Sequence, residues 1–205
     1  MLCNFDIKFI PMAKKFESIK IKPIEVLKTK YRIFDRSILE RLFRSRSLTF
    51  NMQTQLFSNW CWAATSTSVA SFYSAATTWT QCKVACSEKN LTTCCNSPLP
   101  SPCNTYGTLG SSLTTVGHFN KSEAASVTTW AKVKAEIVAG RPIGARTAWS
   151  GGGAHFVAIY GYQEYGGNQY LMVDDPIYGK STMTFATFQT LYRNSGTWTH
   201  TYYTN

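Results

Sequence analysis

Four residues in a fixed order could do chemistry together in this chain: Gln55, Cys61, His155 and Asp175. In Gln55-Leu-Phe-Ser-Asn-Trp-Cys61-Trp-Ala-Ala, the cysteine stands where a helix is expected to begin. Ala63, Ala64, Val69, Ala70, Phe72 and Tyr73 follow it at helical spacing. The N–H groups of a first helical turn point at such a sulfur and the helix dipole adds positive potential, so the thiolate is favoured. Gln55 lies six residues upstream in an extended lead-in. Its amide can join the Cys61 N–H in binding the oxyanion of a tetrahedral intermediate. A cysteine between two tryptophans is equally at home as an inert packing residue, so a partner base decides its meaning.

Three histidines are candidates for that base. His118, in Val116-Gly-His-Phe119, has no acidic neighbour in sequence, and His200 alternates with Trp198 and Tyr202 as in a packed sheet surface. His155 opens an apolar strand directly after Gly151-Gly-Gly153-Ala154, where absent side chains leave room for substrate. The runs His155–Tyr160 and Gln169–Val173 flank Glu164-Tyr-Gly-Gly-Asn168, which reads as hairpin punctuation. A turn centred on Tyr165 sets His155 opposite Asp175, and residues directly opposite share a face of the sheet. Pro176 holds Asp175 extended. A one-residue change of register hands the orienting role to Asp174 instead.

Such residues can run nucleophilic acyl transfer. His155 takes the thiol proton, Asp175 fixes the imidazole tautomer, and Cys61 attacks a carbonyl to give a thioester that water hydrolyses.

The elements expected to position these residues are a strand over Leu48–Gln55, the Cys61 helix to about Tyr73, and a cysteine-rich loop. Then come a helix over Trp130–Ala139, a strand over Ile143–Ala148, and a flexible hinge-like loop over Ser150–Gly153. After the hairpin, strands follow at Ser181–Phe185 and Thr197–Tyr203, with a short helix through Phe188 and Leu191 between them. Helices early and strands late predict an α+β fold.

The chain has 205 residues and seven cysteines, five of them (Cys82, Cys86, Cys94, Cys95 and Cys103) between Gln81 and Asn104. This Pro- and Ser-rich stretch has little to bury and needs staples. Two disulfides with one cysteine left over fit better than zinc, because neither Cys82-x-x-x-Cys86 nor Cys94-Cys95 has the usual ligand spacing. No cofactor or metal is expected. Residues 1–50 hold twelve Lys/Arg against five Asp/Glu, and the remainder nine against six. The basicity therefore belongs mostly to the first segment. Ile38, Leu39, Leu42 and Phe43, set among Arg36, Arg41, Arg44 and Arg46, could form a basic amphipathic helix. The reading preferred here is that residues 1–47 are a basic extension or pro-segment ahead of a domain over 48–205. No secretory signal, transmembrane helix or nucleic-acid motif is legible, and protein or peptide is the expected substrate.

Gln55-x5-Cys61-Trp62-Ala-Ala, Gly-Gly-Gly-Ala-His155-Phe-Val-Ala-Ile and Val-Asp-Asp175-Pro together resemble the papain-like cysteine peptidases. The similarity is to their compact bacterial branch, which includes plant-pathogen effector proteases, and it covers about Gln53 to the C-terminus. It implies a papain-like fold in which an N-terminal catalytic helix packs against a C-terminal antiparallel sheet. It further implies endopeptidase activity, the roles given above for Cys61, His155, Asp175 and Gln55, and action outside the cell. The chain departs from papain in three respects: Trp60 precedes the nucleophile, the Cys–His interval is short, and Asp stands for Asn. The same residues leave open a transglutaminase- or amidase-type acyl transferase and a non-catalytic, disulfide-stapled binding domain.

Overall fold

The longest strand organises the molecule. In a computed structural model that describes residues 43–205, β4 (Ala154–Tyr165) pairs with β3 (Ile143–Trp149) and with β5 (Asn168–Asp175), both antiparallel. The remaining strands are β1 (Phe43–Ser47), β2 (Lys121–Ala124), β6 (Gly179–Thr184) and β7 (Gly196–Tyr203). They complete one antiparallel sheet in the order β2-β7-β3-β4-β5-β6, with β1 added along the second half of β4. The helices are α1 (Cys61–Tyr73), α2 (Gln81–Lys89), α3 (Leu109–Thr115), α4 (Trp130–Val138) and α5 (Phe185–Thr190). This is the α+β, papain-like arrangement expected, with the cysteine helix packed on the sheet.

Two cores follow from the alternation along β4. Phe156 and Ala158 face α1, where Phe50, Trp62, Val69, Leu109 and Leu113 join them. Val157 and Ile159 face the other way, onto Val133, Ile137, Leu171, Val173 and Phe188. Helix α1 is buried on almost every side, which small residues permit, and its buried hydroxyls all find acceptors, that of Thr65 in the Phe156 carbonyl of β4 and the others within the helix. Thr67 and Ser68 donate to the carbonyls of Ala63 and Ala64 one turn back.

Several expectations change. The strand expected over Leu48–Gln55 lies earlier, as β1. Residues 48–60 run without regular structure because their backbone donors are taken singly: Leu48 by the Tyr160 carbonyl, Met52 by Asp174, Gln53 by Ser68 and Gln55 by the Pro176 carbonyl. Phe43, Arg44 and Arg46 thus sit on a sheet strand; the rest of the expected amphipathic helix, with most of the basic extension, lies outside the described residues. The cysteine-rich stretch contains helix α2, capped by the Thr80 hydroxyl accepting from the Lys83 N–H. Its disulfides are Cys82–Cys95 and Cys94–Cys103, leaving Cys86 over. The expected hinge at Ser150–Gly153 is a closed turn. Trp149 N–H donates to the Gly153 carbonyl and Gly152 N–H to that of Trp149, with Gly152 and Gly153 both at positive φ. Among the described residues, no helix is long and apolar enough to cross a membrane, and no cluster of three or more metal-ligating side chains occurs.

Candidate active site

Cys61 is the first residue of α1 and is fully buried. No side chain caps this helix and no acidic residue occupies its first turn, so nothing there neutralises the positive end of the dipole. The flanking tryptophans turn out to be tethers. Trp60 Nε1 donates to the Cys103 carbonyl at 2.7 Å and Trp62 Nε1 to that of Thr105 at 3.2 Å. Each indole thereby ties the disulfide-stapled loop to the start of the helix. Trp60 is fully buried, T-shaped against Phe57, and takes no part in lining the cleft. Gly107 lies directly on the Trp62 ring, where a Cβ would come within 2.4 Å of it, so no side chain fits at that position.

His155 is the second residue of β4 and is buried. Its Nε2 lies 2.9 Å from Asp175 Oδ1. An ionised carboxylate only accepts hydrogen bonds, so Nε2 is the donor to Asp175 and Nδ1 is the ring nitrogen that this pair does not use. The Trp149 ring lies nearly parallel to the imidazole, with centroids 6.1 Å apart. Asp175 is saturated with donors. Oδ1 also accepts from the N–H groups of Ile177 (2.7 Å) and Tyr178 (3.0 Å), and Oδ2 accepts from the Tyr192 hydroxyl (2.5 Å). Burial alone would push its pKa up. The His155, Tyr192 and Ile177 donors, with the charge on the imidazole, outweigh burial and hold it below the ordinary carboxylate value. Burial, and then the Asp175 charge, push the Tyr192 phenol far up, so it stays a donor.

A bulge settles which aspartate meets the histidine. The hairpin turn is Gly166-Gly167, both at positive φ, which pairs Tyr165 with Asn168. Continued unbroken, that register would bring Asp174 onto the face of His155. Tyr160 is an extra residue between the Gly161–Met172 and Ile159–Val173 pairs, and it shifts the register by one. Asp175 then shares the His155 face and reaches it diagonally, not from directly opposite as the turn centred on Tyr165 predicted. Asp174 points away, accepts from the Met52 N–H at 2.9 Å and has Lys180 Nζ at 4.0 Å; burial raises its pKa.

Gln55 is beside the cysteine loop, but both its amide hydrogens are engaged there, donating to the carbonyls of Phe57 and Ser58 at 3.0 Å each. Its Oε1 is buried and accepts no hydrogen bond among the described residues. Gln81, unremarked in the sequence, clamps the backbone on both sides of it. Gln81 Nε2 donates to the Thr54 carbonyl and Oε1 accepts from the Leu56 N–H. Tyr192 also escaped notice, because a tyrosine in a short loop carries no local signal of a partner seventeen residues away.

Cys61 and Ala154, the neighbour of His155, line one cavity of about 400 Å³ with Trp62, Tyr106, Arg146, Phe156, His200 and Tyr202. His118 lies elsewhere, stacked on Tyr73 with Nδ1 2.7 Å from the Asn205 carbonyl.

A cysteine at a helix start, beside a sheet that holds a histidine–aspartate pair, defines the class of papain-like cysteine peptidases. Residues 42–193 match the family described as papain-like cysteine protease AvrRpt2, and the chain belongs to that family. It is a cysteine peptidase, with a protein substrate. Its fold is similar to that of a crystal structure described as a C39-like peptidase from Bacillus anthracis. The TM-score is 0.51 at 13% sequence identity, covering 78% of this chain and 97% of that one. No curated protein matches the chain.

Proposed function

We propose that Cys61, His155 and Asp175 are the catalytic triad of an endopeptidase that works through a thioester. The observation that supports this most is the His155–Asp175 pair, which sets Nε2 against the carboxylate and makes Nδ1 the nitrogen to exchange the thiol proton, on the residue that follows Ala154, itself part of the lining of the cavity that Cys61 lines. His155 Nδ1 takes the Cys61 proton, and the thiolate adds to the substrate carbonyl carbon. The Cys61 N–H, in the first turn of α1, helps hold the oxyanion. Collapse expels the amine, protonated by His155, and leaves the thioester; His155 then deprotonates a water, which releases the acid and the thiol. Gln55 assists the oxyanion once one of its amide hydrogens leaves the Phe57 or Ser58 carbonyl. In the present arrangement it braces the loop that presents Cys61.

The two disulfides support a working place outside the reducing cytosol. The residues ahead of β1 serve as a pro-segment or delivery segment that precedes the peptidase domain.

Cys61→Ala should fold and lose turnover by about 10⁴-fold or more. An irreversible epoxide probe should label wild-type Cys61 under reducing conditions, and a peptide library with an added amine should yield hydrolysed ends. Wild-type-like activity in Cys61→Ala would refute the nucleophile, and amine incorporation without cleavage would replace the peptidase with an acyl transferase.

A further inference from the structure

The cavity beside Cys61 has a charge character that hydrolysis itself does not require. His200, Arg146 and Phe156 form one row across β7, β3 and β4, because Arg146 pairs with Phe156 on one side and with His200 on the other. The register shift at Arg146/Thr147 makes Thr199 an extra residue on β7. Its hydroxyl accepts from Arg146 Nη1 at 2.8 Å, donates to the Arg146 carbonyl at 3.2 Å and lies 3.1 Å from His200 Nδ1. The guanidinium is therefore held in place by a neutral group, and it is half-buried among Phe156, Tyr106 and Tyr202. Lys89 touches two of the lining residues, donating to the Tyr106 carbonyl and sitting 5.2 Å from the Trp62 ring centroid.

No acid among the described residues answers Arg146. The acidic residues of the described chain are Glu88, Glu123, Glu136, Glu164, Asp174 and Asp175, and each is engaged elsewhere: with Thr115, Lys132, Arg141, Lys134, Met52 and His155 respectively. Among the described residues Arg146 forms no ion pair, and no acidic side chain lines the cavity. A positioned, partly desolvated arginine with free donors is a fork for a carboxylate.

We propose that this cavity is a substrate subsite for an acidic side chain close to the scissile bond, with Arg146 as its specificity-determining residue and Thr199 as the group that positions it. The proposal rests on the triad reading above, since it takes the cavity to be where a substrate side chain lies while its peptide bond meets Cys61. Matched peptides differing only in Glu, Gln or Lys at each position flanking the cleaved bond test it. They are assayed two ways: by hydrolysis with the wild type, and by fluorescence anisotropy binding to the Cys61→Ala protein. At one position Glu should exceed Gln by about tenfold in kcat/KM, chiefly through KM, and in affinity. Arg146→Met should bring the Glu peptide down to the Gln level, Arg146→Glu should turn the preference toward Lys, and Thr199→Val should weaken it. Equal treatment of Glu and Gln at every position in both assays would overturn the proposal, as would a Glu preference that survives in Arg146→Met. Failure of the triad reading shows differently, as binding that still ranks Glu first with no hydrolysis of any peptide.

Discussion

The two walls of the cleft are held by different forces. The sheet wall, β3 to β5 with Asp175 and Tyr192, rests on a continuous ladder and on a carboxylate whose donors come from the same half of the chain. The helix wall rests on pieces without a ladder: a stretch of irregular backbone held by single bonds, two indole tethers and two disulfides. Regular structure fixes geometry through many repeated weak bonds, so one loss is local. A stapled loop depends on a few contacts, so one loss releases the whole rim. The histidine–aspartate pair is therefore built into the robust half, and the surroundings of Cys61 into the conditional half.

The largest expected effect breaks the sheet wall at its one irreplaceable point. Asp175→Ala should lower kcat by about 10²- to 10⁴-fold, because His155 loses the group that sets its tautomer. Asp174→Asn should leave turnover within about twofold, because an amide oxygen can still accept from Met52 and the site has no use for the charge. The reverse ranking in steady-state kinetics would show that the Tyr160 bulge does not set the register.

Reduction probes the helix wall. The bridges join residues 13 and 9 apart in sequence, so opening each should cost about 2–3 kcal/mol of stability. Hydrogen exchange should quicken over residues 81–107 and stay slow over 143–175; equal loosening of both regions would erase the distinction between the walls. Tyr192→Phe should cost about 1.5–3 kcal/mol by removing a charge-assisted hydrogen bond to Asp175. It should lower kcat modestly, with Asp175 still held by three donors; unchanged thermal stability would count against that contact.

The pH response sharpens the same comparison at smaller scale. Asp175 has a folded-state pKa below its unfolded value, so its contribution is present above the ordinary carboxylate range. It is lost as pH falls through the lowered value. Asp174, raised by burial, acts with the opposite sign: its contribution is fully present below the ordinary carboxylate range and is lost as pH rises from there through the raised value. Acid unfolding of Asp174→Asn should therefore show higher stability than the wild type near neutrality and convergence with it in acid.

What the residues determined by themselves was local. Cys61 opens a helix because small apolar residues follow it at helical spacing. His155 opens a strand because a glycine turn precedes an apolar run, and Gly166-Gly167 makes a hairpin because both positions need positive φ. Each of these depends on neighbours within a few positions, which is why the order Gln, Cys, His, Asp was legible. The tertiary structure decided the rest. One extra residue at Tyr160 selects Asp175 over Asp174, and packing of α2 against the stapled loop selects the cysteine pairs. Tyr192 comes to the carboxylate only because α5 and its turn fold back on the sheet, and Arg146 gains its place beside Cys61 only when three strands align. A bulge or a cross-strand row costs little in local energy and leaves no periodic trace, so its position is set by how the two cores pack on either side of β4.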